Sequence, residues 1–326
     1  MYKPLVSILV PVYNVEKYIE RCACSLFQQT YENLEFIFVD DCSQDNSIKI
    51  LEQCIKKYPI REKQTHIIRH KNNSGAGECR MTGIKCCSGE FLSHVDSDDW
   101  LELNAIELLI KKQQESEADI VSGRHLIHCK GVITVRDSGQ GMSKDELLTN
   151  LCTHQCTSVI WGRIIRKSLY INHSIMVDFR GRYSEDFQVF PQLVYYASGI
   201  ATIDDIVYNY NRENSNAMTS SLHVNTKIQL EYLLGHEVIS QFFADKNLIC
   251  QSLCDQTALK YYYLFMMYQV RNNNKKGYET IKGALTDNKR LLQGGIKLIY
   301  KDYHFLKCFI VAKQVIYQVK KLIKHK

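Results

Sequence analysis

Over residues 5–123, short apolar runs alternate with segments whose apolar residues recur every three or four positions, and this restricts the fold more than any other property of the chain. Leu5 to Tyr13, Leu34 to Asp41, Thr65 to His70, Phe91 to Val95 and Asp119 to Gly123 read as strands. Val15 to Gln29, Asn46 to Tyr58, Gly77 to Cys87 and Leu103 to Glu115 read as helices. Alternating units of this length predict an α/β fold, an open, Rossmann-like, mostly parallel sheet between helices. Ligands of such sheets bind outside the carboxyl ends of the strands. Three polar clusters fall at those ends: Pro11-Val12-Tyr13-Asn14, Asp40-Asp41 and Asp96-Ser97-Asp98-Asp99.

The third cluster packs three carboxylates into four positions after an apolar run. Like charges this close raise one another's pKa unless a cation offsets them, and oxygen ligands suit a hard divalent metal such as Mg²⁺ or Mn²⁺. The competing reading is an acidic turn that caps the next helix.

From about Gly131 to Tyr210 the elements shorten and mix, with a return to strand in Ile200 to Tyr210. After Thr219 the pattern changes to long helical segments, Val224 to Phe243, Ser252 to Val270 and Phe305 to Lys324, which places a boundary near residue 220. At 326 residues, 45% hydrophobic and 23% charged, the chain has a globular composition. The net charge of +6 is modest and thickens in Lys320-Lys321-Leu322-Ile323-Lys324-His325-Lys326, a surface or tail effect from which no nucleic-acid partner is expected. The 13 cysteines are odd in number and diluted over a long chain, which fits a reducing, cytoplasmic setting better than a disulfide scaffold. Neither Cys152-Thr153-His154-Gln155-Cys156 nor His125 to Cys129 has the paired spacing of a structural zinc site. The first apolar run is too short and too early broken by Pro11 for a signal segment, and no run reaches the length of a membrane-spanning helix.

Val6-Ser7-Ile8-Leu9-Val10-Pro11-Val12-Tyr13-Asn14, Phe38-Val39-Asp40-Asp41-Cys42-Ser43-Gln44-Asp45 and Val95-Asp96-Ser97-Asp98-Asp99, in this order and spacing, resemble the motifs of the family 2 glycosyltransferases. Members of that family are inverting enzymes of the GT-A fold. The resemblance covers roughly the first two thirds of the chain. It implies a glycosyltransferase domain over 1–219, with a nucleotide-sugar half (about 1–124) and an acceptor half (about 125–219), followed by a helical C-terminal region over 220–326. It also implies transfer of a sugar, hexosyl or N-acetylhexosaminyl, from a nucleotide diphosphate sugar, a UDP-sugar for preference, to a hydroxyl of a glycan or lipid-linked acceptor in cell-surface polysaccharide synthesis.

By the same resemblance, Pro11, Tyr13 and Asn14 lie along the base and ribose, and Asp41 accepts a hydrogen bond from the uracil ring nitrogen while Asp40 fixes the loop. Asp96 faces the ribose, Asp98 ligates Mn²⁺ or Mg²⁺ on the diphosphate, and Asp99 caps a helix beginning near Leu101. Asn73-Ser74-Gly75-Ala76-Gly77-Glu78-Cys79-Arg80-Met81-Thr82-Gly83-Ile84 resembles the family's glycine-containing loop and following helix, with Cys79 and Met81 departing from the usual Ala and Asn. Arg80 there is either a donor contact or a structural ion-pair partner. In Tyr183-Ser184-Glu185-Asp186-Phe187, the Glu-Asp pair makes Asp186 the base that takes the acceptor hydroxyl proton and Glu185 its supporting neighbour or an acceptor contact. At an ordinary pKa of about 3.9 such an aspartate is a weak base that depends on position. Trp161-Gly162-Arg163 resembles a segment lining the acceptor cleft, with core packing as the competing account of Trp161. Tyr208-Asn209-Tyr210-Asn211-Arg212 resembles a turn whose cation, here Arg212, reaches the diphosphate.

Phe305, Phe309, Ala312, Ile316, Val319 and Ile323 recur at helical spacing among lysines, a pattern that suits either peripheral contact with an anionic membrane at its inner face or packing on the chain's own domain. Two alternatives to glycosyl transfer remain at this level. A nucleotidyltransferase needs a basic, glycine-rich loop after the first strand, which Pro11 to Val15 does not supply. A non-catalytic nucleotide- or glycan-binding protein of the same fold needs only the binding half of these residues.

Overall fold

The computed structural model describes residues 2–177, 183–214, 225–288 and 290–291, and the chain divides into two compact units, Met1–Ala217 and Met218–Lys326. The described strands of the first unit are β1 (Val6–Val12), β2 (Leu34–Asp40), β3 (Thr65–Arg69), β4 (Phe91–His94), β5 (Trp100–Leu101), β6 (Ile120–Cys129), β7 (Val132–Arg136), β8 (Arg163–Arg166) and β9 (Ile200–Asn211). They form one sheet in the order β3-β2-β1-β4-β8-β6-β9-β5, with β7 beside β6. The first four strands of that order are parallel. Beyond them β8 runs against both β4 and β6, whereas β6 and β9 run together.

The helices of this unit are α1 (Ile19–Phe27), α2 (Ser47–Lys56), α3 (Pro59–Glu62), α4 (Ala76–Cys86), α5 (Ala105–Ser116), α6 (Lys144–Cys152), α7 (Lys167–Asn172) and α8 (Glu185–Tyr196). Helix α1 buries Ile19, Cys22, Ala23, Leu26 and Phe27, the spacing of one apolar face. β1 is apolar but for Ser7, whose hydroxyl donates to Glu35, because it is covered on both faces, as interior parallel strands are. Its side chains join those of β2, α1 and α5 in the main core, where each fully buried Leu, Ile or Phe contributes about 1.5–3 kcal/mol.

Pro11 lies inside β1, where a missing N–H would ordinarily break a ladder. Val12 accepts the Asp41 amide on the β2 side, so the alternation of the strand turns Pro11 toward β4. Pairing there has already ended at Leu9 and His94. Proline therefore marks the point where the sheet opens into a cleft.

Two helices start later than their apolar period suggests. The Val15 amide donates to Ser47 Oγ at 2.8 Å and the Glu16 amide to Asp45 Oδ2 at 3.0 Å, so side chains after β2 hold the chain in a turn until Ile19. Helix α5 begins at Ala105 because Trp100 and Leu101 are extended against Asn209 and Tyr208 of β9.

The second unit contains α9 (Thr226–Phe243), α10 (Leu248–Arg271) and α11 (Lys275–Asp287). Each begins at an asparagine whose side-chain oxygen accepts a first-turn amide, Asn225 from Lys227, Asn247 from Cys250 and Asn274 from Gly277. Leu233, Leu259, Tyr262, Met266, Tyr278 and Ile281 form its core. The lysine-rich stretch 305–324 lies outside the described residues. No described helix is long and apolar enough to cross a membrane.

Candidate active site

Because β1, β2 and β4 are parallel, their carboxyl ends open on one edge, and the three polar clusters meet there. At the end of β1 Tyr13 is 46% exposed, a position from which an aromatic ring can offer a face to a planar ligand. Asn14 takes a left-handed conformation, φ 51°. Its Oδ1 accepts the Gln44 amide at 2.8 Å and its amide donates to Ser43 Oγ at 3.3 Å, which stitches the loop after β1 to the loop after β2. Asp40 accepts the Ser43 amide at 2.9 Å and so fixes that loop.

Asp41 is buried. Its Oδ1 accepts the Ser74 amide at 2.8 Å and faces His70 Nδ1 at 3.0 Å, while Oδ2 accepts the Gly75 amide at 2.7 Å. Gly75, at φ 92°, is in a region that a side chain would strain, and it precedes α4. His70 Nε2 is 3.0 Å from Thr82 Oγ1, and the Cys79 thiol lies 3.8 Å from Nδ1. Burial, followed by the charge of Asp41, pushes the Cys79 thiol far up.

The carboxylates after β4 have three distinct environments. Asp96 Oδ1 accepts from Arg80 Nη2 at 2.6 Å. Asp98 Oδ2 accepts from Asn214 Nδ2 at 2.8 Å, and its carboxyl is raised by burial and then by Asp96. Asp99 is fully buried, accepting the Tyr208 hydroxyl at 2.7 Å and the Asn211 amide at 2.7 Å. The expectation that Asp99 caps a helix near Leu101 is therefore corrected. The residues after it form β5, so its carboxylate is left to tie the turn to β9. Tyr208 also accepts the Asp96 amide at 3.0 Å.

Arg80, on α4, joins this turn to α8. Its Nη1 donates to Glu185 Oε1 at 2.7 Å and stands 3.6 Å from Asp186 Oδ1. Burial alone would lower its pKa, but the charges of Asp186, Asp96 and Glu185 overturn that and hold it well above the ordinary value. The guanidinium is thus the shared counter-ion of three carboxylates.

Asp186 Oδ1 is buried without a hydrogen bond. Burial pushes its carboxyl up to about 7, against the opposing pull of Arg80, with Glu185 and Asp96 adding to the rise. The weak base expected from an ordinary aspartate is in this setting a group matched to neutral pH. Asp186 lines a cavity with room for about one water molecule, together with Arg80, His94 and Tyr170. His94 Nε2 is 3.1 Å from the Tyr170 hydroxyl, and burial holds the imidazole down to about 3, so it is neutral. The Arg163 guanidinium is buried 3.9 Å over the Phe190 ring.

Of the residues expected from the sequence, Arg80, Asp96, Glu185 and Asp186 are brought together by ion pairs, Asp98 is held by Asn214 in the same turn as Asp96, and Pro11, Tyr13, Asn14 and Asp41 line the neighbouring strand ends. Arg212 is exposed after β9. Its amide donates to the His128 carbonyl at 2.9 Å, and among the described residues its side chain has no contact with the carboxylates. Trp161 is core, stacked on Tyr208 at 4.3 Å and on Tyr210 at 5.4 Å. His70, His94, Tyr170 and the role of Tyr208 were missed. For Tyr208 the signal is its strand alternation with Tyr210, which puts both rings on one face.

The model of "Glycosyl transferase family 2" matches residues 7–174. The chain is 30% identical to glycosyltransferase GlyG of Streptococcus pneumoniae over 66% of its own length and 73% of that protein. The structure of S. aureus TarS 1–349 in complex with UDP-GlcNAc shares the fold at TM-score 0.60 and 20% identity, over 87% of this chain and 92% of that one. The mannosyltransferase PcManGT of Pyrobaculum calidifontis, in complex with GDP-Man and Mn²⁺, does so at TM-score 0.55 and 13% identity, over 100% and 89%. With the sheet, the strand-end carboxylates and this match agreeing, the chain belongs to glycosyl transferase family 2 and has the GT-A fold.

Proposed function

We propose that this glycosyltransferase moves one sugar, with inversion, from a UDP-sugar to a hydroxyl of a glycan or lipid-linked acceptor. The observation that carries the reading is the fork of Arg80, which ties Asp96 on the donor side to Glu185 and Asp186 on α8. The acceptor oxygen attacks the anomeric carbon and its proton passes to Asp186, while the bond from that carbon to the diphosphate oxygen breaks and UDP departs. Asp186 is suited to this step because its raised pKa lets it hold the proton at neutral pH. Glu185 shares Arg80 with it and holds the pair in place.

On the base side, two backbone amides, His70 and the Cys79 thiol orient the Asp41 carboxylate, which is the acceptor assigned to the imide N–H of uracil. Tyr13 supplies a face for the ring, and the backbone from Pro11 to Asn14 forms the wall beside the ribose, with Asp96 on its far side. The donor set after β4 fits a hard divalent cation, since burial and Asp96 both raise Asp98 and a cation there would offset them. Asp98 is the residue that would hold Mn²⁺ or Mg²⁺, whose chemistry is to stabilise charge on the departing diphosphate. The acceptor half is assigned to residues 125–219 and the helical region to 220–326. Contact with an anionic membrane is assigned to the lysine-rich pattern of 305–324.

The test is a thermal-shift panel of UDP- and GDP-sugars with and without Mn²⁺, followed by transfer assays with the donor that binds. Stabilisation by a UDP-sugar that grows with Mn²⁺ is expected. Stabilisation by GDP-sugars alone would sink the donor assignment, and binding of donors without transfer to any acceptor would leave a binding protein in place of the proposed enzyme.

A further inference from the structure

Beside the proposed uracil contact stands a group of three metal-ligand types. Asp41, His70 and Cys79 each offer one donor atom, an oxygen, a nitrogen and a sulfur, and all three atoms lie within 4.8 Å of one another. Among the described residues this is the one such grouping of His, Cys, Asp and Glu. Neither cysteine and histidine stretch considered from the sequence forms one. We propose that Asp41, His70 and Cys79 bind Zn²⁺ and that the bound ion shuts the base end of the nucleotide pocket.

Geometry supports the first half. Tetrahedral zinc with ligand distances of about 2.0–2.3 Å sets nitrogen and oxygen roughly 3.3 Å apart, and sulfur and nitrogen roughly 3.6 Å apart. Here Nδ1 to Oδ1 is 3.0 Å and Sγ to Nδ1 is 3.8 Å, so shifts of a few tenths of an ångström bring these two pairs to that geometry, with all three atoms within 4.8 Å. The three residues sit at the end of β2, just past β3 and on α4, separate elements that hold them in register. Thr82 Oγ1 contacts the other ring nitrogen at 3.0 Å, the outer contact that fixes the orientation of a ligating imidazole. His70 also borders an open cleft with Lys71, Ser74 and Glu78, a route by which an ion can reach the imidazole.

The charge and proton balance also fits. Zinc replaces the thiol proton of Cys79, while the neutral His70 imidazole keeps its one proton on Nε2, toward Thr82 Oγ1, so one proton passes to solvent. The ion with one carboxylate and one thiolate is then neutral, which suits a buried place. The sulfur ligand selects Zn²⁺ over the hard cations proposed at Asp98. The second half of the proposal rests on the reading of Asp41 as the uracil acceptor, because coordination takes up the lone pair that the imide N–H would use.

Metal-free full-length protein titrated with Co²⁺ as a spectroscopic probe, and then with Zn²⁺ by calorimetry, tests both halves. One equivalent should bind with a near-ultraviolet thiolate-to-cobalt band. Cys79→Ala should abolish the band, and Thr82→Val should weaken zinc binding about 10-fold or more with the band retained. Asp98→Asn should leave both unchanged. Absence of the band, or zinc affinity unmoved in both Cys79→Ala and His70→Gln with melting temperatures preserved, would overturn the site. Zinc should also weaken UDP binding in the parent and not in Cys79→Ala. A thiolate band with UDP affinity untouched by zinc would uphold the metal site and overturn the reading of Asp41 as the base acceptor.

Discussion

Asp41, a buried carboxylate, and Asp186, a partly buried one with Oδ1 inside the protein, stand in one proposed site, yet their surroundings differ in kind. Asp41 meets two backbone amides and an imidazole, each within 3.0 Å. Asp186 has a cation at 3.6 Å and an oxygen with no hydrogen-bond donor. Donors fix a carboxylate as an acceptor that stays where it is. Burial with too few donors makes it hold a proton to higher pH. In the proposed reading the same side chain is a recognition element at the end of β2 and a base at the start of α8, and the neighbours make the difference.

The largest effect expected from this contrast is on Asp186→Asn. The amide keeps the shape and cannot take the acceptor proton, so transfer should fall by roughly 10²–10⁴-fold while UDP affinity is retained. Asp41→Asn should do the reverse, weakening UDP binding with less change in the rate at saturating donor. Parallel binding and transfer assays would collapse the comparison if both variants lost the same quantity.

Arg80→Ala comes next. It leaves Asp96, Glu185 and Asp186 without their shared cation, and breaking one side of a buried pair costs about 3–5 kcal/mol. Arg80→Lys should recover only part, because its single ammonium replaces a fork whose two nitrogens reach different carboxylates. Denaturant unfolding measures both, and a lysine variant as stable as the parent would mean that charge alone matters there.

The pH profile sharpens the assignment of the base. With Asp186 raised to about 7, transfer should climb as pH rises through that value and fall about tenfold per unit below it. The stability linked to its protonated form is full below an ordinary carboxyl pKa of about 3.9 and is lost as pH rises through about 7. Asp186→Asn avoids that loss. Its melting temperature relative to the parent should therefore rise between about pH 5 and pH 8. A flat difference would show that the carboxyl ionises as an exposed one does.

The strands that carry this contrast were legible because continuous apolar runs ending in Asp40-Asp41 and Asp96 to Asp99 leave few ways to arrange a sheet. Arg80, Glu185 and Asp186 were legible through their resemblance to the family. The altered base was not. Asp186 owes its raised pKa to burial and to the charges of Glu185 and Asp96, the latter distant in the chain, against the pull of Arg80, also distant. The Asp99 reading failed for a similar reason. Local pattern favours a cap, but Tyr208 and Asn211, more than 100 residues further on, claim the carboxylate. His70 carried no signal and Cys79 stood out only as a departure from the family's usual Ala, because their meeting depends on how α4 packs beside the end of β2.

The smallest effect tests whether those distant contacts hold the donor side of the comparison. Tyr208→Phe deletes one hydroxyl that accepts the Asp96 amide and donates to Asp99. Both partners are then left short inside the protein, a loss of about 1–3 kcal/mol. Core packing should survive, since the ring stays stacked on Trp161. The functional signature should fall on the Asp96 to Asp99 turn, with Mn²⁺-dependent UDP binding weakened and Mn²⁺-independent binding preserved. If unfolding shows the loss while Mn²⁺-dependent binding is unchanged, the anchoring to β9 serves stability alone, and the turn carries its own geometry.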